Sequence, residues 1–175
     1  MTLRSLCPIL PLFLFGLTMG CSTMGTVELG YTEGTSNRRG RTGANIEAHF
    51  GGGGGEAVIF GGGASARIRL ANSTQQFGIG GHAYMLAPTE VAHIFLRGGL
   101  HLLQFEHLDG DFAFGSGSPF ASIGVIFPGF FSDDFAGPLT FSVSFNYDVR
   151  VTEQPSEGFW GISLGIGASI VEPSF

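Results

Sequence analysis

The chain contains no lysine, and only 13% of its 175 residues are charged, about half the share found in ordinary soluble domains. A surface built from so few charges is poorly solvated. Fourteen acidic residues face eight basic ones, all arginine, for a formal charge of −6; that balance excludes the basic footprint of a nucleic-acid binder. Two cysteines, Cys7 and Cys21, are too few for a disulfide framework. Beyond residue 19 there is no second long apolar run and no helical periodicity, which excludes a helical membrane protein. The five histidines, His49, His82, His93, His101 and His107, lack metal-site spacings such as His-Glu-x-x-His. No strand-to-helix nucleophile elbow of the Gly-x-Ser-x-Gly type is expected either. No metal, cofactor or catalytic role follows from the sequence. The glycine runs 51–55 and 61–63 have no following helix and no Gly-Lys-Ser/Thr signature, so they are not phosphate loops. The first reads as a turn; the second marks a sharp bend or room for a bulky neighbour.

What the chain does have is glycine (30 residues), phenylalanine (18 residues) and a distinctive start. Arg4 precedes an apolar run from Leu6 to Met19, and Gly20 precedes Cys21. A cationic start, an apolar stretch and a small residue before the cut are the order of a signal peptide. The run is shorter than the roughly 20 residues of a membrane helix, and Pro8 and Pro11 interrupt it. Residues 1–20 are therefore expected to be removed as a signal peptide. The stretch Leu17-Thr18-Met19-Gly20-Cys21 resembles the lipobox of bacterial lipoproteins, with Thr18 standing where leucine is usual. The resemblance implies that Cys21 is acylated, that residues 21–25 form a lipidated linker, and, because Ser22 and not aspartate follows, that the protein is sorted to the outer membrane.

Residues 26–175 read as one all-β domain. Their low charge and positive mean hydropathy, without a long apolar run, fit strands whose apolar residues alternate with polar ones. The clearest case is 139–152. There Leu139, Phe141, Val143, Phe145, Tyr147, Val149 and Val151 alternate with Thr140, Ser142, Ser144, Asn146, Asp148, Arg150 and Thr152, giving one apolar and one polar face. In the last strand, Trp160, Ile162, Leu164, Ile166, Ala168 and Ile170 alternate with Phe159, Gly161, Ser163, Gly165, Gly167 and Ser169. The chain ends on Phe175, which resembles the terminal insertion signal of outer-membrane barrels. Six further strands are expected at 26–32, 44–50, 57–70, 76–86, 91–106 and around 120–127. In the fifth, His93, Arg97 and His101 alternate with Ile94, Leu96, Leu100 and Leu102. The total is an antiparallel up-and-down β-barrel of about eight strands, an even count that puts both termini on the periplasmic side. Loops at 38–41, 72–75, 107–119 and 153–158 then face outward, and 51–55, 87–90 and 128–138 face the periplasm.

The polar faces direct Glu47, Arg67, Arg69, His82, Asp148 and Arg150 toward one interior. An eight-stranded barrel has room there for side chains or one small ligand. The expected arrangement is a lumenal network of paired charges; a site where the arginines hold a carboxylate or phosphate is the alternative. Arg38, Arg39 and Arg41 form the one basic cluster, in a Ser/Asn/Gly-rich loop. Two arrangements satisfy the alternation. In the first, an outer-membrane barrel with a lipid on Cys21 has a structural or interaction role in the envelope, and membrane lipid is its partner through the acyl chains and the barrel wall. In the second, a lipid-tethered soluble periplasmic barrel or sandwich turns its apolar faces inward around a small apolar ligand, leaving Arg67, Arg69, Asp148 and Arg150 on the surface.

Overall fold

In the computed structural model, the structure describes residues 22–35, 42–55, 57–71, 74–89, 92–108, 111–115, 117–128, 139–150 and 157–171. The first 21 residues, including the expected signal peptide and Cys21, lie outside this set, as do the Arg38–Arg41 cluster, most of the 128–138 connection and Phe175. Among the described residues alternation produces nine strands: β1 (Ser22–Gly34), β2 (Thr42–Gly54), β3 (Ile59–Ala71), β4 (Thr74–Pro88), β5 (His93–Leu108), β6 (Asp111–Gly115), β7 (Ser118–Pro128), β8 (Leu139–Arg150) and β9 (Glu157–Val171). All pairings are antiparallel: chain neighbours pair except that β5 pairs with β7 across β6, β1 pairs with β9, and the β4–β5 ladder completes the circle. Eight strands form the closed wall. The short β6 pairs with the end of β5 beyond β7, inside the stretch expected to be loop.

Staggered pairing tilts the strands. A line drawn across the ladders from Ile94 passes Val125, Val143, Leu164, Leu29, Ile46, Ile68 and Phe77 and returns to β5 at Phe105. Every residue on that spiral is a large apolar one. They point outward: Leu164 is 64% exposed and Leu29 61% exposed. The inward faces carry Glu28, Glu47, Arg67, Arg69, Arg97, Glu106 and Asp148, all buried. The polarity is inside out relative to a water-soluble fold, opposite to the arrangement required by a soluble barrel with an apolar interior.

Three boundaries differ from the sequence reading, each for a physical reason. β1 begins at Ser22, so residues 22–25 are wall and not linker: Thr23 pairs with both Gly52 and Ile170, and Met24 is buried. Glycines 51–54 continue β2 instead of turning, paired with Gly63, Gly62, Gly61 and Phe60. The turn comes later, at Gly55, whose φ of 151° suits glycine. The room in this patch is taken by Tyr84, since a Cβ on Gly61 would stand 2.5 Å from the Tyr84 ring. Finally, the alternation of β5 breaks because Leu102 is bulged: Ile79 pairs with Leu103 while Gly80 pairs with His101. Past the bulge Leu103 and Phe105 face out and Gln104 and Glu106 face in.

Candidate functional site

The lumen is graded in polarity. At the end of the barrel where β1 begins and β9 ends, Met24, Ile59, Tyr84, Leu86, Phe95 and Ile126 form an apolar cluster, all buried. These residues lie near the starts of β1, β3 and β5 and the ends of β4 and β7, and so at one height. They close the barrel. Above them lies a layer of paired charges. Arg97 on β5 donates from Nη2 to Glu28 Oε1 across the lumen at 3.0 Å and from Nε to Ser122 at 3.0 Å; the Ser144 hydroxyl donates to the other Glu28 oxygen at 2.8 Å. Glu47 accepts from Asn45 at 2.5 Å and lies 3.1 Å from His49 Nε2.

Toward the loop end, Asp148 on β8 holds two guanidinium groups of β3. Arg67 Nη1 stands 2.5 Å from Oδ2 and Arg69 Nη2 2.6 Å from Oδ1. Arg67 also contacts His101 Nδ1 at 3.0 Å. Arg69 donates to Gln76 Oε1 at 2.8 Å and lies over the Phe159 ring at 4.1 Å; Gln76 in turn donates to Glu106 at 3.2 Å. Small residues on β9 make the space: a Cβ on Gly165 would meet the Ser142 hydroxyl and Glu28 Cγ.

Five of the six residues expected in the lumen, Glu47, Arg67, Arg69, His82 and Asp148, are buried there. Arg67, Arg69 and Asp148 form one cluster, Glu47 binds to the neighbouring Asn45–His49 group, and His82 stands edge-on to His49 with ring centroids 5.3 Å apart. The Arg150 backbone pairs with Glu157, and its side chain lies outside the described set. The sequence reading left out Glu28, Arg97, His101, Gln76 and Glu106. Glu28 was legible as a lone acid between Val27 and Leu29, and Arg97 and His101 shared a polar face. Gln76 opened an expected strand, whereas Glu106 was hidden by the bulge.

This arrangement limits the chemistry. The carboxylate that an arginine pair would offer to bind is supplied by Asp148, so the guanidiniums are matched internally and an anion from outside would have to displace a buried partner. Gly161-Ile162-Ser163-Leu164-Gly165 spells Gly-x-Ser-x-Gly, correcting the expectation in letter. Yet Ser163 sits mid-strand, buried, accepting from Asn146 at 2.7 Å, without the strand-to-helix turn that exposes a nucleophile.

No protein-family model matches the chain, and no curated protein matches its sequence. Solved structures do. Neisserial surface protein A (NspA) is similar at a TM-score of 0.55 and 12% identity, covering 86% of this chain and 97% of that one. The fold is an eight-stranded outer-membrane-type β-barrel. A designed transmembrane β-barrel (TM-score 0.47, 13% identity, 88% of this chain and 99% of that one) and the outer membrane enzyme PagL (0.49, 11% identity, 82% and 97%) are also similar.

Proposed function

We propose that this protein is a bacterial outer-membrane lipoprotein whose barrel spans the bilayer and whose role is structural or one of surface interaction, not conduction or catalysis. One observation carries the reading: the large apolar residues cover the outside while the charges are buried and paired within. In water such a wall would aggregate; in lipid it is the stable arrangement. Its height fits. From Ile94 to Phe105, with the bulged Leu102 left out, the outward row of β5 runs about ten steps of ~3.3 Å. At a tilt of ~40° that is ~25 Å of height, equal to the apolar band of ~25 Å in such barrels. The interfacial aromatics fit as well: Tyr31 and Tyr147 are half exposed toward the loop ends of β1 and β8, beside Trp160 of β9, where amphipathic rings meet headgroups. The apolar cluster at the terminal end argues against an open channel, and the lipobox resemblance supports removal of residues 1–20 and acylation of Cys21.

The test is carbonate and urea extraction of membranes containing either the full chain or a version whose first 21 residues are replaced by an ordinary secretory leader without cysteine. Resistance of the lipid-free version, with heat-dependent migration on gels, supports a spanning barrel. Release of that version would show that an acyl chain was the only anchor and would overturn the spanning reading.

A further inference from the structure

The outer wall is not uniformly covered. On β7, β8 and β9 large side chains follow one another, whereas across β1, β2 and β3 the outward positions Gly25, Ala48, Ala64 and Ala66 are small. They floor a shallow groove of about 490 Å³, walled by Val27, Phe50, Ile79 and Ile166. Phe50 leans over the floor, its Cδ2 lying 3.6 Å from where a Gly25 Cβ would be. The groove is open to the exterior and almost wholly apolar, with the strand segments at Thr26, His49 and Ser65 behind it.

From its position we infer that this groove seats an acyl chain carried by Cys21 of the same molecule, an inference that rests on the lipoprotein reading above. β1 begins at Ser22, directly after Cys21, and Gly25 opens the groove four positions along that strand. Four residues cover roughly 13 Å of strand, or about 10 Å of depth at a ~40° tilt; Val27 lies about 5 Å deeper. A leaflet is about half of the ~30 Å hydrocarbon core, so an acyl chain of ordinary length reaches the groove and fills it. Any lipid chain has the chemistry to enter. The tether singles out this occupant, because a chain attached one residue before β1 enters the leaflet beside the groove in every molecule and needs no encounter to reach it. Filling a methyl-lined depression also restores the dispersion contacts that a gap forfeits.

The experiment uses the full chain, expressed in cells fed a diazirine-bearing fatty acid, irradiated in the membrane and digested for mass spectrometry. Only cross-linked pairs that contain the Cys21 peptide report on the tethered chain. The expected result is acylated Cys21 with pairs several-fold enriched for the segments holding Val27, Phe50 and Ile166. Ala64→Phe, which fills the floor from the lipid side, should disperse them while the barrel keeps its heat-dependent gel migration. Acylated Cys21 with cross-links spread evenly, reaching Ile123 and Val143 on the far wall as often, would overturn the seat and leave the lipoprotein reading standing. Unmodified Cys21 would remove both.

Discussion

Replacing Asp148 with alanine removes the shared partner of two buried guanidiniums, at 2.5 Å from Arg67 and 2.6 Å from Arg69. Breaking a buried pair by deleting one member costs about 3–5 kcal/mol, because the other charge is left uncompensated. Two charges are stranded here, but each keeps a second contact: Arg67 with His101, and Arg69 with Gln76 and the Phe159 ring. The loss for Asp148→Ala is therefore set at the single-pair range of ~3–5 kcal/mol and not twice that. The assay is urea unfolding of the barrel in lipid vesicles, read by heat-dependent gel migration and tryptophan fluorescence. The triple replacement Arg67→Met, Arg69→Met and Asp148→Leu, which substitutes apolar groups for all three charges, should recover most of the loss, to within ~2 kcal/mol of the parent. A loss below ~1 kcal/mol for Asp148→Ala would refute the reasoning. It would mean that water reaches these charges and that the lumen is hydrated instead of filled.

Leu164→Arg places a charge on the outer wall. In a bilayer it should cost ~2–4 kcal/mol at mid-depth, whereas a surface change in water stays within about ±0.5 kcal/mol; folding free energies in vesicles distinguish the two. Gly61→Ala should destabilise by ~1–3 kcal/mol and show a coupling above ~0.5 kcal/mol with Tyr84→Ala in a double-mutant cycle, since the added methyl meets that ring. Deleting Leu102 removes the bulge and leaves inward His101 and outward Leu103 as consecutive residues opposite Gly80 and Ile79, the register the ladder already has, so the folded band on unheated gels should persist; its loss would refute the assignment of Leu102 as the inserted residue. In planar bilayers the protein should give no sustained ohmic conductance; a stable open level would overturn the closure assigned to Met24, Ile59, Tyr84, Leu86, Phe95 and Ile126.

The strands were legible because period-two alternation between an apolar and a polar set is a direct consequence of the pleat. The segments 139–152 and 57–70 needed nothing more. Which set faces inward was not legible, because alternation is the same for a lipid-facing wall and a soluble core; burial of Arg69 at 1% exposure against 64% for Leu164 decides it. The bulge escaped detection because Leu102 and Leu103 are identical residues, so the sequence carries no mark of where one is inserted. Glycines 51–54 were misread as a turn since their composition favours turns; only pairing with an equally small partner run makes them strand. Arg67, Arg69 and Asp148 could be assigned to one common face from parity alone. Their mutual contact depends on which strands lie across the lumen from one another, and that follows from closure and stagger.

The ties across the lumen join distant parts of the chain: Arg97 with Glu28, Arg69 with Asp148, and Ser144 with Glu28 are separated by 69, 79 and 116 residues. None of them forms within a single hairpin. A β2–β3 hairpin entering lipid alone would match Arg67 against Glu47 but carry Arg69 without its acid, and β1 would carry Glu28 without Arg97. Hairpin-by-hairpin insertion therefore meets a charge penalty at each stage, about 2–4 kcal/mol for an arginine at mid-depth. The penalty vanishes when β1 meets β9 and β4 meets β5. Entry into the membrane and closure of the circle are thus one kinetic event, slow for its long-range contacts, with the electrostatics of the finished interior acting as the latch.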